Sequence, residues 1–265
     1  TIDTDASDTA GDITIAAVTG GSNTLTLSTG DNVANTDITA SGAISGVTTL
    51  TLADVGGTAT LSGDVDVTTL TLQNVGGTAT LSGDVDVTTL AVGNTVANVA
   101  FTGNGSSVTN AFTPANDGTF VFGASGGTQT YNAGLTTTSV GGTVTANGTI
   151  ATSNDAIVFG AVTLGSATTI DTNATTNAAD ITIAAVTGGN NSLTLTTENN
   201  IANADVTASG AISGVTTLTL ASIGGTATLS GDIDVTTLTC GNTVANVAFT
   251  GNGSSVTNAV SFAND

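Results

Sequence analysis

The sequence contains no lysine, arginine or histidine, and against that absence it sets 20 acidic residues, for a formal charge of −20. No ion pair between side chains can exist anywhere in the fold. Phosphate neutralisation, which drives nucleic-acid binding, has no cation to use. An anionic membrane surface repels the chain for the same reason. Phosphate clamps, Schiff-base lysines, Ser-His-Asp triads and histidine-ligated metals are excluded by inventory. Methionine and tryptophan are also missing, and a single cysteine leaves no disulfide framework. The chain opens TIDTDASDTA, as expected of a processed product or a segment of something longer. No apolar run approaches the length of a membrane-spanning helix, so membrane insertion is not expected.

What is present is β-prone. Hydrophobic residues make up 39% of the chain, with abundant threonine and valine, which is too apolar and too β-branched for a disordered polymer. Internal repetition then organises the sequence. Residues 51–70, TLADVGGTATLSGDVDVTTL, recur at 71–90 with changes only at Ala53/Gln73 and Asp54/Asn74, and the core of the unit returns at 224–238. A longer repeat relates 1–21 to 169–189, an offset of 168, whereas 93–111 recurs unchanged at 241–259, an offset of 148. The two offsets differ by 20 residues, one copy of the short unit.

Loss or gain of a whole unit is tolerated where each coil touches only its neighbours. In a closed sandwich or barrel it would shift strand pairing throughout. The expected fold is therefore all-β, a parallel β-helix with coils of about 20 residues and roughly three short strands per coil, about 13 coils in all. It should form one continuous β-solenoid over 1–265, built from long repeats 1–168 and 169–265, the second incomplete and one unit shorter. Alternation places Ala59, Leu61, Val65 and Val67 inward, with Thr58, Thr60, Ser62, Asp64 and Asp66 outward. The parity then flips across Thr68-Thr69, turning Leu70, Leu72 and Val75 inward. Gly63, the Thr pair and Gly56-Gly57 are the expected corners. Asn104-Gly105, Asn147-Gly148 and Asn252-Gly253 read as tight turns. Phe101, Phe112, Phe120, Phe122, Tyr131 and Phe159 point to a wider core in the middle of the long repeat.

Four groups of residues are candidates for function. The Asp-x-Asp pairs Asp64/Asp66, Asp84/Asp86 and Asp232/Asp234 would stack between coils, where a divalent cation such as Ca²⁺ would relieve their repulsion. No cofactor is otherwise required, and an exposed acidic stripe that keeps the surface soluble explains the same residues. Their spacing also overlaps that of glycosidase carboxylates, though three near-identical copies without tryptophan or a cation to grip a sugar argue for structure. Asp3, Asp5, Asp8 and Asp12 resemble a Ca²⁺ loop only partly, because their counterparts are Asp171, Asn173, Thr176 and Asp180. Thr58/Thr60, Thr78/Thr80 and Thr226/Thr228 would form an outward threonine array like the ice-binding faces of solenoid antifreeze proteins. Cys240 aligns with Val92 and reads as a buried small hydrophobe.

Units such as GGTATLSGDVDVTTLTL resemble the β-strand repeats of bacterial cell-surface proteins: autotransporter passengers, rickettsial-type outer-membrane adhesins, surface-layer proteins and giant adhesins. The resemblance implies export to the extracellular side of a bacterial surface and a structural or adhesive role. It carries over no binding residue. The expected function is a non-enzymatic structural β-solenoid that self-associates, head to tail or laterally, into a fibre or surface layer, or forms the stalk of an adhesin. Cell-surface glycans are a further partner class. An ice-binding module and a polysaccharide-degrading enzyme using the Asp pairs are the alternatives.

Overall fold

A chain with no long side chain to place at its corners can stack its backbone at strand spacing, and it does. The computed structural model describes residues 1–4, 11–30, 33–198 and 200–263. The fold is an all-β, parallel β-solenoid of about 12 turns, with coils about 21 residues apart. Among the described residues there is no helix, and so none to cross a membrane. Two compact units are formed, residues 1–122 with 139–143 and residues 123–138 with 144–265.

In the first unit one arm of each coil is a short strand. Ile13–Ile15, Ile38–Ala40, Ala59–Leu61, Thr78–Leu81, Asn98–Phe101 and Phe120–Phe122 stack in parallel register. The inward set is the one that alternation selects: Ala59, Leu61, Val65, Val67, Leu70, Leu72 and Val75 are all buried. The parity flip at Thr68-Thr69 is also present. It does not end a strand, however. Val65–Val75 is one bent strand, paired along its length with Ile44–Val55 and Val85–Val92. Two small outward threonines let the backbone turn without breaking the ladder, so the second and third expected strands fuse. The near-identical units rise by 20 residues per coil, as Val65 to Val85 and Leu70 to Leu90 show.

The second unit uses the same plan with longer coils below and shorter ones above. Ile157 pairs with Ile181, Ile181 with Val206, Val206 with Ala227 and Ala227 with Val247. Longer coils explain why about 12 turns are made where a uniform 20 residues gives 13. One expected turn is not a turn at all. Asn147-Gly148 lies inside the strand Val144–Thr152, where Gly148 takes φ +64° at a register shift beside Ala146. Glycine absorbs the left-handed residue of a bulge, and the strand bends while staying paired.

The aromatic residues at Phe101, Phe112, Phe120, Phe122, Tyr131 and Phe159 are all buried in the core. Phe120 and Phe122 stack with centroids 4.1 Å apart, and Phe112 meets them edge-on at 5.9 and 6.4 Å. In the second unit Tyr131 is fully buried and its hydroxyl donates to Gln129 Oε1. Cys240 is buried and free, and burial raises its thiol pKa, which keeps it an unreactive hydrophobe.

Candidate functional site

Each Asp-x-Asp pair follows a glycine corner, so its first carboxylate sits on the turn and its second on the strand. The structure brings the aspartates of neighbouring coils together: Asp66 pairs in register with Asp86, and Asp64 Oδ1 accepts a hydrogen bond from the Asp84 backbone N–H at 3.1 Å. The column ends after two carboxylates, because Ser45 lies below Asp66 and Ser107 above Asp86. Asp232 and Asp234 belong to the second unit and join neither column. There Asp232 Oδ1 accepts from the Gly253 N–H, while Asp234 pairs with Ser213 and Ser255. Burial and the nearby Asp84, Asp66 and Asp64 charges raise the Asp86 pKa, against a hydrogen bond from the Ser107 backbone that lowers it. Among the described residues no group of three or more acidic or cysteine side chains is arranged to hold a metal ion.

The first carboxylate of a pair thus has a structural task, and the same task recurs elsewhere. Asp12 accepts from the Asp37 N–H, and Asp37 in turn from both the N–H and the hydroxyl of Thr58. Asp180 accepts from Asp205 and Asp205 from Thr226. Asn98 does the same for Thr119. These side chains are rungs between coils, satisfying backbone donors at a corner where the ladder is interrupted. Asp12 and its counterpart Asp180 keep this role in both long repeats, so a Ca²⁺ loop is not needed to explain them. Asp5 and Asp8 lie outside the described residues.

Beside the Asp66/Asp86 column runs a groove of about 410 Å³, lined by Thr48, Thr68, Thr88 and Ser107 together with the two carboxylates. The second unit repeats it at about 230 Å³, with Thr216, Thr236, Asp234 and Ser255. Such a lining can hydrogen-bond a polyhydroxyl chain or hold a hydrated cation. It contains no nucleophile activated by a base and no cation to stabilise an oxyanion.

The expected threonine array is present only in part. Thr60 stacks on Thr80 and on Thr39, but Thr58 is committed to Asp37. A larger array lies on the neighbouring arm, where Thr24, Thr49, Thr69 and Thr89 form one column and Thr26, Thr51 and Thr71 another. In the second unit Thr128, Thr149, Thr169, Thr194, Thr219 and Thr239 stack without interruption. The repeated TTLTL at 48–52 and 68–72 carried this signal, hidden because its first two threonines also make the corner.

One carboxyl stands apart electrostatically. Burial, reinforced by Glu198, pushes Asp171 from the ordinary 3.8 up to about 6, against the lowering effect of the Asn173 N–H, which donates to its Oδ1 at 2.7 Å. A carboxyl whose folded pKa is raised binds its proton more firmly when folded. Its contribution to stability is complete below about 4 and is lost as the pH climbs through about 6. Asp171→Asn keeps the Oδ1 acceptor and removes the charge. It is expected to stabilise the protein at pH 7 by about 1–2 kcal/mol, after discounting for solvent screening, and by nothing at pH 3.5. Thermal melts of both chains from pH 3.5 to 7.5 check this; parallel curves would refute it.

No family model matches the chain, and neither a curated protein nor a solved structure does.

Proposed function

We propose that the chain is a non-enzymatic structural protein of the extracellular bacterial surface, a β-solenoid that joins end to end into a fibre or surface layer or forms an adhesin stalk. One observation carries this reading. Near-identical coils stack in register, Val65 on Val85 and Leu70 on Leu90, and the recurring aspartates serve as rungs between coils. A parallel ladder of this kind adds strands by the same backbone pairing that holds its own coils together.

The site chemistry supports the same reading. In two of the three Asp-x-Asp pairs the first carboxylate accepts a backbone N–H of the next coil, a structural role that explains its recurrence without a catalytic one. The surface assignment draws on the resemblance of the repeats and on a composition with no site for trypsin-like proteases. The hydroxyl-lined grooves suit neutral cell-surface glycans as a secondary partner. No cofactor enters this function.

Self-association must overcome a charge of −20 per chain, so it should strengthen as salt screens the repulsion. Sedimentation velocity from about 20 mM to 500 mM NaCl, a range over which the Debye length falls from roughly 20 to 4 Å, is expected to show a progressive shift to larger species. A single monomeric boundary at every salt and protein concentration would reject the proposal.

A further inference from the structure

Asn-Gly steps occur at Asn104-Gly105, Asn147-Gly148 and Asn252-Gly253, and the fold treats each one differently. An asparagine followed by glycine can modify itself, because no side chain shields the glycine nitrogen from the asparagine Cγ. The reaction then depends on whether the backbone is free to bring those two atoms together.

Asn147-Gly148 is locked. Gly148 is buried within the paired strand Val144–Thr152, in register with Thr168, and its N–H donates to Ser166 Oγ at 3.4 Å. Moving its nitrogen onto Asn147 Cγ requires opening the ladder. Asn104 instead lies exposed on the turn between the strands Asn98–Phe101 and Ser107–Val108, and among the described residues no acceptor holds the Gly105 N–H. Asn252-Gly253 is an internal control, since residues 241–259 repeat 93–111 without change. Both turns are anchored alike, Val85 N–H donating to Ser106 Oγ and Ile233 N–H to Ser254 Oγ, each at 3.0 Å. They differ at the reacting atom, because the Gly253 N–H donates to Asp232 Oδ1 at 2.8 Å.

We propose that Asn104 is a self-modification site, converted to aspartate and isoaspartate in the folded protein faster than Asn252 and much faster than Asn147. The Gly105 nitrogen attacks Asn104 Cγ, so that an N–Cγ bond forms and the Cγ–Nδ2 bond breaks. The proton lost from Gly105 leaves with Nδ2 as ammonia, and water then opens the cyclic imide at either carbonyl. Water is consumed and ammonia released, with no oxidation or reduction. The position gives the product a consequence. Asn104 follows Gly103 as Asp84 follows Gly83 and Asp64 follows Gly63, so it stands on the corner above those two carboxylates. A Cβ on Gly105 would lie 2.9 Å from Asp84 Oδ2. Aspartate at 104 therefore adds a like charge to an acidic column. Isoaspartate also lengthens the backbone where a Cβ on Gly103 would already lie 2.2 Å from the Gly83 carbonyl oxygen. Modification loosens this corner as the protein ages.

The full chain, incubated at mildly alkaline pH and then unfolded, is cut by chymotrypsin at phenylalanine and tyrosine into 102–112, 132–159 and 250–262, which separates the three sites. Mass spectrometry with fragmentation reads the replacement of NH₂ by OH at each asparagine. Asn104 is expected to react at least about tenfold faster than Asn147 and about threefold faster than Asn252. In urea the rates at Asn104 and Asn252 should converge, as their identical neighbours require. Equal rates at Asn104 and Asn147 in the folded chain, or no change at Asn104 while the unfolded chain reacts, would overturn the site. Equal folded rates at Asn104 and Asn252, or a difference that persists in urea, would overturn the part given to the Gly253 N–H. Asn104→Asp should melt a few degrees below the parent at pH 7 and level with it at a pH low enough to protonate the carboxylates. Equal midpoints at pH 7 would overturn the loosening of the corner.

Discussion

Gly83→Ala is expected to destabilise the solenoid by about 3 kcal/mol or more, although it adds a single methyl group. Gly83 belongs to a glycine column, Gly42, Gly63, Gly83 and Gly103, at the corner that precedes each Asp-x-Asp pair. A Cβ on Gly83 would lie 2.4 Å from the backbone carbonyl carbon and oxygen of Gly63 and 2.7 Å from the amide of Asp64. Those atoms cannot move aside independently. Ser82 donates to Leu61 on one flank at 2.9 Å, and Val65 donates to Asp84 on the other at 2.7 Å, so relief requires parting two coils. The contrast is Gly93→Ala, where the nearest atom outside the adjacent residues is 3.6 Å away. That change should be neutral or raise stability by a few tenths of a kcal/mol through the unfolded chain. Paired urea melts check the contrast; equal midpoints for the two variants would refute the close-stacked corner.

Phe120→Ala should produce a loss of similar size for the opposite reason, removal of bulk. The chain has seven phenylalanines and one tyrosine, and three of those rings gather at Phe112, Phe120 and Phe122. Apart from Phe101, the other buried hydrophobic residues of the first unit are valine, leucine, isoleucine and alanine, whose small volumes cannot flow into a vacated ring site. A loss of about 3–5 kcal/mol is expected. In a solenoid each coil answers mainly to its neighbours, so the loss should be local. Hydrogen exchange should accelerate most at Val99–Phe101 and Phe120–Phe122, the strands paired beneath and at the substitution. Acceleration spread evenly over residues 11–122 would contradict that locality.

Residue parity at 57–75 was enough to assign inside and outside, because a strand side chain has only two directions and the repeats show the same choice three times. Parity says nothing about the neighbour above. That depends on coil length, and coils that pair Ile13 with Ile38 or Ile181 with Val206 are longer than the 20-residue unit. Hence the stacking of Asp66 on Asp86 was legible, while the rungs from Asp12 to Asp37 and from Asp180 to Asp205 were not. Thr68-Thr69 was recognised as a corner but not as a corner inside a continuous strand. The threonine columns on the arm beyond it were missed for the same reason. Asn147-Gly148 looked like a turn because the dipeptide supplies a left-handed residue, and a bulge uses that same property.

The absence of every cationic side chain fits this account. Corners at which a single methyl group collides have no room for lysine or arginine, and backbone donors left at those corners are met by short aspartate and asparagine side chains. Under the proposed function, the charge that results would keep separate copies apart at low salt and let them associate once it is screened.

Electron microscopy of the 265-residue chain at about 0.5 M NaCl tests the central claim most directly. The account predicts unbranched filaments one solenoid wide, with the strand spacing of about 4.8 Å running unbroken along the axis. A field of separate particles at high protein concentration, or sheets joined only side to side, would contradict it.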